Sequence, residues 1–264
     1  MLRLHRIEHA GLVVHAVEDA GTWLLVDGDP FGRWTPGARL PAPPTRLLAP
    51  VTPTKIVAVG LNYRDHAAER GKPLPAVPMI FLKPSTAVIP PGEPIRLPPG
   101  VGRVDHEAEL GVVIGRRATR VPRRDAWAHV LGLTCLNDVT ARELQDRGVQ
   151  YSHCKGFDTF APLGPCIALG LDASALDIEG LVNGEVRQRS NTRELIFDVP
   201  ALVEYISAIM TLLPGDVIAT GTPAGIGPLA AGDHVTVRIA RIGELTNPVA
   251  AGAPAAVSAR KEPA

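Results

Sequence analysis

Glycine and proline break this chain at intervals too short for most long helices. There are 26 of each among 264 residues, roughly a fifth of the chain where about 12% is usual. Proline removes a backbone donor and clashes with the preceding helical turn, and glycine costs entropy in a helix interior. A chain punctuated this way folds into short strands joined by turns. Gly11-Leu12-Val13-Val14 and Thr22-Trp23-Leu24-Leu25-Val26 read as strands of a hairpin, with Glu18-Asp19-Ala20-Gly21 as its turn. Pro41-Ala42-Pro43-Pro44, Pro50 and Pro53 read as a connector. They divide a small N-terminal domain (residues 1–50) from a larger domain (51–255) and a tail (256–264). Lys55-Ile56-Val57-Ala58-Val59-Gly60 has the pattern of a buried strand. A helix is predicted over 63–70, stopped by Gly71 and Pro73, then a strand over 107–114 ended by Gly115, and a short helix over 123–131. A strand from Leu133 leads into a helix near Arg142, and further strands are predicted over 217–220 and 235–239. One long helical period appears, over 199–213, where Val199, Leu202, Val203, Ile206, Ile209, Met210 and Leu213 share a face. Strands outnumber helices and do not alternate with them. The expected fold class is therefore mainly β with short helices (α+β), antiparallel or mixed rather than doubly wound.

Composition removes several function classes. Lys plus Arg and Asp plus Glu both count 27, so the formal net charge is zero. Nucleic-acid binding, which needs surplus positive charge to displace counterions, is not expected. Aromatic residues, at 4%, are too few for base-stacking platforms. Cys135, Cys154 and Cys166 are far apart and form no CxxC pair, which speaks against structural zinc and a disulfide framework. No apolar stretch follows the first residues as a signal peptide would require, and no run reaches the roughly 18 residues of a membrane span. A soluble, cytoplasmic protein is expected.

The sharpest chemical feature is His106-Glu107-Ala108-Glu109-Leu110. On a strand, Glu107 and Glu109 share one face while Ala108 and Leu110 point to the core. Two neighbouring carboxylates on an apolar strand repel each other, and a bound cation resolves the conflict. Oxygen donors without cysteine suggest Mg²⁺, Mn²⁺ or Ca²⁺. Taken alone, the pair is better explained as a solvated outer strand face. Asp138, at the end of an apolar strand, adds a third carboxylate, or else caps a helix. His66 and Glu69 share a helix face, so the carboxylate can orient the imidazole as a general base; taken alone, the pair is better explained as an incidental one on an exposed amphipathic helix. Lys155 can bind a substrate carboxylate or stabilise an enolate. Arg142 and Gln145 are three residues apart and can line the same pocket. The turn Thr220-Gly221-Thr222-Pro223-Ala224-Gly225 offers amides and hydroxyls to a carboxylate. Cys154 beside His153 is a weak nucleophile candidate, since neighbours on a strand point apart.

Taken in order, these segments resemble the fumarylacetoacetate hydrolase family over about residues 53–249. The likeness runs through Gly60-Leu61-Asn62-Tyr63, Phe81-Leu82-Lys83-Pro84, His106-Glu107-Ala108-Glu109-Leu110, Asn137-Asp138-Val139-Thr140-Ala141-Arg142 and Lys155-Gly156-Phe157-Asp158. It continues through Val182-Asn183-Gly184-Glu185 and Leu213-Pro214-Gly215-Asp216 to Thr220-Gly221-Thr222-Pro223. The resemblance implies a mixed β-roll or barrel-like catalytic domain, a homodimer, and one Mg²⁺ or Mn²⁺ held by Glu107, Glu109 and Asp138. It implies catalytic roles for His66, Glu69 and Lys155, with the first two on a mobile lid. Arg142, Gln145, Gly221 and Thr222 are then substrate contacts. Larger members carry a further acidic ligand near Asn62, so a three-carboxylate site of the smaller bacterial type is implied here.

The expected activity is divalent-metal-dependent cleavage of a C–C bond in a small 2-oxo acid, through an enolate that the metal stabilises. Acylpyruvate hydrolysis and decarboxylation of a 2-oxo dicarboxylate share that electron sink. An isomerase/decarboxylase of the homoprotocatechuate route, acting on 2-hydroxyhepta-2,4-diene-1,7-dioate, is the alternative within the family. Outside it stand a non-catalytic metabolite-binding domain and a metal-independent hydrolase, though no GxSxG elbow is present.

Overall fold

A computed structural model describes residues 1–146 and 150–252. The tail expected over 256–264 lies outside the described residues. The dominant element is a long, open, mainly antiparallel sheet. Its order from one edge is Trp34–Arg39, Thr22–Gly28, Leu12–Asp19, Arg3–His9, Ala161–Leu169, Val130–Asn137, Ala108–Ile114, Val217–Ala219, Ile56–Val59 and Ile80–Lys83. Val217–Ala219 runs parallel to Ile56–Val59, and the other neighbours in this order run antiparallel. The two edges do not meet, so no closed barrel forms among the described residues. The architecture is mainly β with short helices, as the spacing of breakers predicts.

The N-terminal strands form a meander whose turns the sequence encodes. Ala10-Gly11 and Ala20-Gly21 each have two consecutive positive φ values (51° and 76°, 47° and 83°). That is the two-residue type I′ turn, whose twist matches the flanking strands. The meander is continuous with the rest of the fold, because Arg3 and Leu4 pair with Ala168 and Ile167.

Both faces of the long sheet are covered. On one face, Leu110, Val112, Leu133 and Ile218 pack under a five-stranded sheet through its Ile178, Val237 and Leu245. The helix Val199–Ile209 covers the same face through Val199, Leu202, Val203 and Ile206. Each such side chain contributes roughly 1.5–3 kcal/mol when fully buried. On the other face, Leu4, Ala58, Val113, Leu136 and Val217 pack with Val26 and Phe31 of the N-terminal region.

The long helix begins where the sequence predicts: Asp198 accepts from the Ala201 amide at 2.9 Å, and proline sits in the first turn. It ends at Ile209 rather than 213. The Leu212 backbone exchanges two 2.9 Å bonds with Ala118, and the Leu213 amide is taken by Asp216 at 2.8 Å. Tertiary pairing outcompetes one more helical turn. The helix expected over 123–131 is a 3-10 helix, Arg123–His129. No helix among the described residues is long and apolar enough to cross a membrane.

Candidate metal centre and active site

Glu107 interrupts its own strand. Val104–His106 and Ala108–Ile114 are strands on either side of it, and one side-chain and one backbone bond bridge the gap. The Glu107 amide donates to Asn137 Oδ1 at 3.0 Å, and its carbonyl accepts from the Asp138 amide at 2.9 Å. Ala108 and Leu110 enter the core on one face, and Glu107 and Glu109 share the other, as period two requires. Asp138 follows Asn137, which pairs with Ala108 across the sheet. One oxygen each from Glu107, Glu109 and Asp138 therefore lie within 4.8 Å of one another, and all three residues are buried.

The chain neutralises two of these carboxylates and leaves the third. Glu107 accepts from Arg142 Nη2 at 2.6 Å and Lys155 Nζ at 2.9 Å. Asp138 accepts from Lys83 Nζ and Lys155 Nζ, both at 2.5 Å. Glu109 has one hydrogen bond among the described residues, from the Gly221 amide to Oε2 at 2.9 Å. Burial pushes the Glu107 carboxyl up, but Lys155 and Arg142 outweigh it and hold the group at about 2. Burial, with the charges of Asp138 and Glu107, pushes the Glu109 carboxyl well above the ordinary range. A buried carboxylate with one neutral donor and two anionic neighbours is stabilised by a cation. The donor set is all oxygen, which fits a hard divalent ion such as Mg²⁺ or Mn²⁺.

Lys155 ties this centre together. It closes a short helix, Ser152–Lys155, and its ammonium also donates to Thr140 Oγ1 at 2.7 Å and lies 5.1 Å from the Phe81 ring. Burial opposes its charge, but Asp138, Glu107 and Glu109 hold it protonated above the ordinary lysine range. His153 and Cys154, expected on a strand, lie in the same short helix. Burial raises the Cys154 thiol, whose Sγ donates to Tyr151 O at 3.1 Å. Such a thiol is a poor nucleophile.

The predicted dyad forms. On the helix Arg64–Glu69, His66 Nδ1 lies 2.9 Å from Glu69 Oε2, and Glu69 Oε1 accepts from the Gly225 amide at 3.0 Å. Arg142 and Gln145 also meet, at 2.5 Å, and Arg142 Nε reaches Asp105 at 2.9 Å. His66, Glu107, Arg142, Gln145, Lys155 and Thr222 all line one cavity of about 140 Å³. Gly221 and Thr222 direct their donors to the glutamate strand: the Gly221 amide to Glu109, and Thr222 Oγ1 to the Ala108 carbonyl at 2.9 Å. Asn62 uses its amide on Thr220 O (2.7 Å), Phe197 O (3.1 Å) and the Phe197 amide (2.8 Å). A carboxylate there could not donate to the two carbonyls, which accounts for a three-carboxylate set.

Three residues of the centre carry no assigned role in the sequence reading. Lys83 is two positions from Phe81 on the Ile80–Lys83 strand, so it shares the face of a cavity-lining ring, and that spacing was the available signal. Asp105 anchors Arg142. Gln188 is fully buried and accepts from the Ala108 amide (2.9 Å) and His106 Nδ1 (3.1 Å). Its Nε2 donates to Thr222 Oγ1 and Pro223 O, both at 2.8 Å. It clamps both flanks of Glu107 to the glycine-rich turn, and only the folded chain brings these segments together.

The family described as fumarylacetoacetate (FAA) hydrolase C-terminal matches residues 55–250. The mitochondrial oxaloacetate tautomerase FAHD2A of Bos taurus is 44% identical over 223 residues, 80% of this chain and 71% of the relative. The crystal structure of 2-hydroxyhepta-2,4-diene-1,7-dioate isomerase from Mycobacterium marinum superposes with a TM-score of 0.88 at 44% identity, covering 95% of this chain and 99% of that one. Maleylpyruvate hydrolase from Sphingobium sp. SYK-6, in complex with manganese(II) and pyruvate, gives a TM-score of 0.79 at 32% identity over 95% of this chain and 100% of that one.

Proposed function

We propose that this chain, which belongs to the fumarylacetoacetate hydrolase family, is a divalent-cation-dependent enzyme of small 2-oxo acids that moves a proton at the carbon beside the 2-oxo group. The observation that carries this reading is the buried, unneutralised Glu109 beside Glu107 and Asp138, next to a cavity lined by His66 and Lys155. Glu107, Glu109 and Asp138 would hold Mg²⁺ or Mn²⁺. When bound, the cation supplies Lewis-acid stabilisation of the negative charge that develops on an enolising 2-oxo acid.

The remaining chemistry belongs to the chain. Lys155, fixed by three hydrogen bonds, places a second positive charge where that charge develops. Glu69 accepts from His66 Nδ1–H, which leaves the lone pair on Nε2. A proton can then pass between the substrate carbon and His66 Nε2, with Glu69 stabilising the imidazolium. Arg142 and Gln145, held to each other, orient the substrate from the cavity wall. The tautomerase and isomerase relatives, each 44% identical, support proton transfer over bond cleavage.

A second reading, C–C cleavage, is supported by the same dyad: His66 Nε2 can equally take a proton from water. A hydrolase neighbour at 32% identity also belongs to this picture. An NMR time course separates the two. Oxaloacetate, acetylpyruvate and fumarylpyruvate would be followed with Mn²⁺ and with EDTA. Metal-dependent interconversion of the keto and enol forms without loss of carbon is the expected result. Release of pyruvate would favour cleavage. Conversion that persists in EDTA would remove the three-carboxylate site as the catalytic centre.

A further inference from the structure

Among the described residues, two cations line the cavity that the metal centre does not use. Arg142 and Lys155 are neutralised by Asp105, Glu107 and Asp138. Arg70 and Lys72 also line the cavity, and neither side chain has a hydrogen bond or ion pair among the described residues. Among the described residues, Glu107 is the one acidic residue in the lining. Glu107 is buried, at the inner end, while Arg70 and Lys72 are exposed, at the mouth.

Their placement is built in rather than incidental. Arg70 closes the helix Arg64–Glu69, and Gly71 follows with φ of 59°. The Gly71 amide donates to Ala68 O at 3.1 Å and the Lys72 amide to Ala67 O at 3.0 Å. This is the paired-bond Schellman ending, which needs a left-handed residue and fixes the chain on both sides of it. The same helix is anchored by Glu69 to Gly225 and by Arg64 to the Leu195 carbonyl at 2.8 Å. The turn that ends the His66–Glu69 helix therefore delivers two unneutralised cations to the rim.

We propose that Arg70 and Lys72 are specificity-determining residues that receive a second carboxylate, at the end of the substrate remote from its 2-oxo acid group. The proposal rests on the 2-oxo acid reading above. It restricts that reading to dicarboxylates and assigns the discrimination to the helix end rather than to the metal centre. The charge interaction is exposed, so it falls as salt rises.

Binding of two 2-oxo acid probes to the Mn²⁺-loaded protein tests this by calorimetry. 2-Oxoglutarate and 2-oxovalerate share the chelating end and differ by a terminal carboxylate in place of a methyl group. The unaltered protein is expected to bind 2-oxoglutarate about tenfold more tightly, an effect of the size two partly solvated charge pairs supply. The Arg70→Gln, Lys72→Gln double variant should lose that preference and keep its affinity for 2-oxovalerate. Equal affinities in the unaltered protein, or a preference that survives the double substitution, would overturn the proposal and leave the metal reading standing. Failure of both probes to bind would overturn the 2-oxo acid reading together with this one.

Discussion

The three-residue strand Val217–Ala219 has a buried carboxylate near each end, and the protein treats the two in opposite ways. Asp216, just before the strand, accepts five hydrogen bonds: from the Thr54 amide and hydroxyl, the Lys55 amide and ammonium, and the Leu213 amide. Burial alone would raise its carboxyl, but Lys55, Thr54 and Leu213 hold it below the ordinary range. Glu109, met by Gly221 just beyond the strand's other end, has one donor and two anionic neighbours. The first carboxylate is satisfied by its own chain and stitches the loop before Ile56 to the loop before Val217. The second is left for a ligand. Burial of a charge therefore says little about function, and the completeness of its partners says a great deal.

The largest expected effect breaks the satisfied end. Asp216→Ala removes a buried ion-pair partner and strands several amides, at a cost of about 3 kcal/mol or more, which lowers Tm by about 6–12 °C. Mn²⁺ affinity of the protein that remains folded should be unchanged. A thermal scan and a metal titration on the same sample check both halves.

Glu109→Gln should do the reverse. Metal affinity is expected to fall about 100-fold or more, because one of three ligands loses its charge. Thermal stability in EDTA should hold or rise by about 2–4 °C, because a carboxyl that burial and two anionic neighbours disfavour as an anion is replaced by a neutral amide of the same size. A loss of stability with metal affinity intact would make Glu109 structural.

A smaller effect is expected at the clamp between the two regions. Gln188→Met keeps the volume but removes the four bonds that hold Ala108 and His106 to the glycine-rich turn. Groups that orient ligands from behind typically change metal affinity by about 10–100-fold, and the low end is expected here. Unaltered affinity in a folded variant would confine Gln188 to packing.

The smallest effect is in the pH dependence of stability without metal. Asp216, held below its ordinary 3.8, contributes stability that is present above that value and is lost as pH falls through its folded pKa. Glu109 has the opposite sign. Its folded pKa lies above the ordinary 4.5, so the folded state binds the proton more tightly. Its contribution is present below 4.5 and is lost as pH rises toward the folded value. Unfolding in EDTA across this window should show a falling component in the unaltered protein that Glu109→Gln lacks. The same slope in both proteins would place the proton elsewhere.

Much of this centre was legible in the sequence, for a local reason. Period two puts Glu107 and Glu109 on one face whatever the rest of the fold does, and helical spacing brings His66 to Glu69. Gly71 and Pro73 mark the end of that helix correctly. What could not be read were the partners supplied from far along the chain. Lys83 reaches Asp138 across 55 residues and Gln188 reaches Ala108 across 80. Those contacts depend on sheet order, and a chain of short strands allows many orders. Sheet order likewise sets the partners of the glycine-rich turn: the Gly221 amide and the Thr222 hydroxyl donate to the glutamate strand beside them, and Thr222 also lines the cavity. The overextended helix over 199–213 failed differently: its apolar period continues, but Leu212 is captured by Ala118.

The most direct test of the central claim is a calorimetric titration of Mn²⁺ into the unaltered protein and Glu109→Gln, in two buffers of different ionisation enthalpy. The account predicts one ion per chain in the unaltered protein, with a buffer-dependent heat that reports the proton leaving Glu109, and loss of both in the variant. Equal affinity and equal proton release in the two proteins would contradict it.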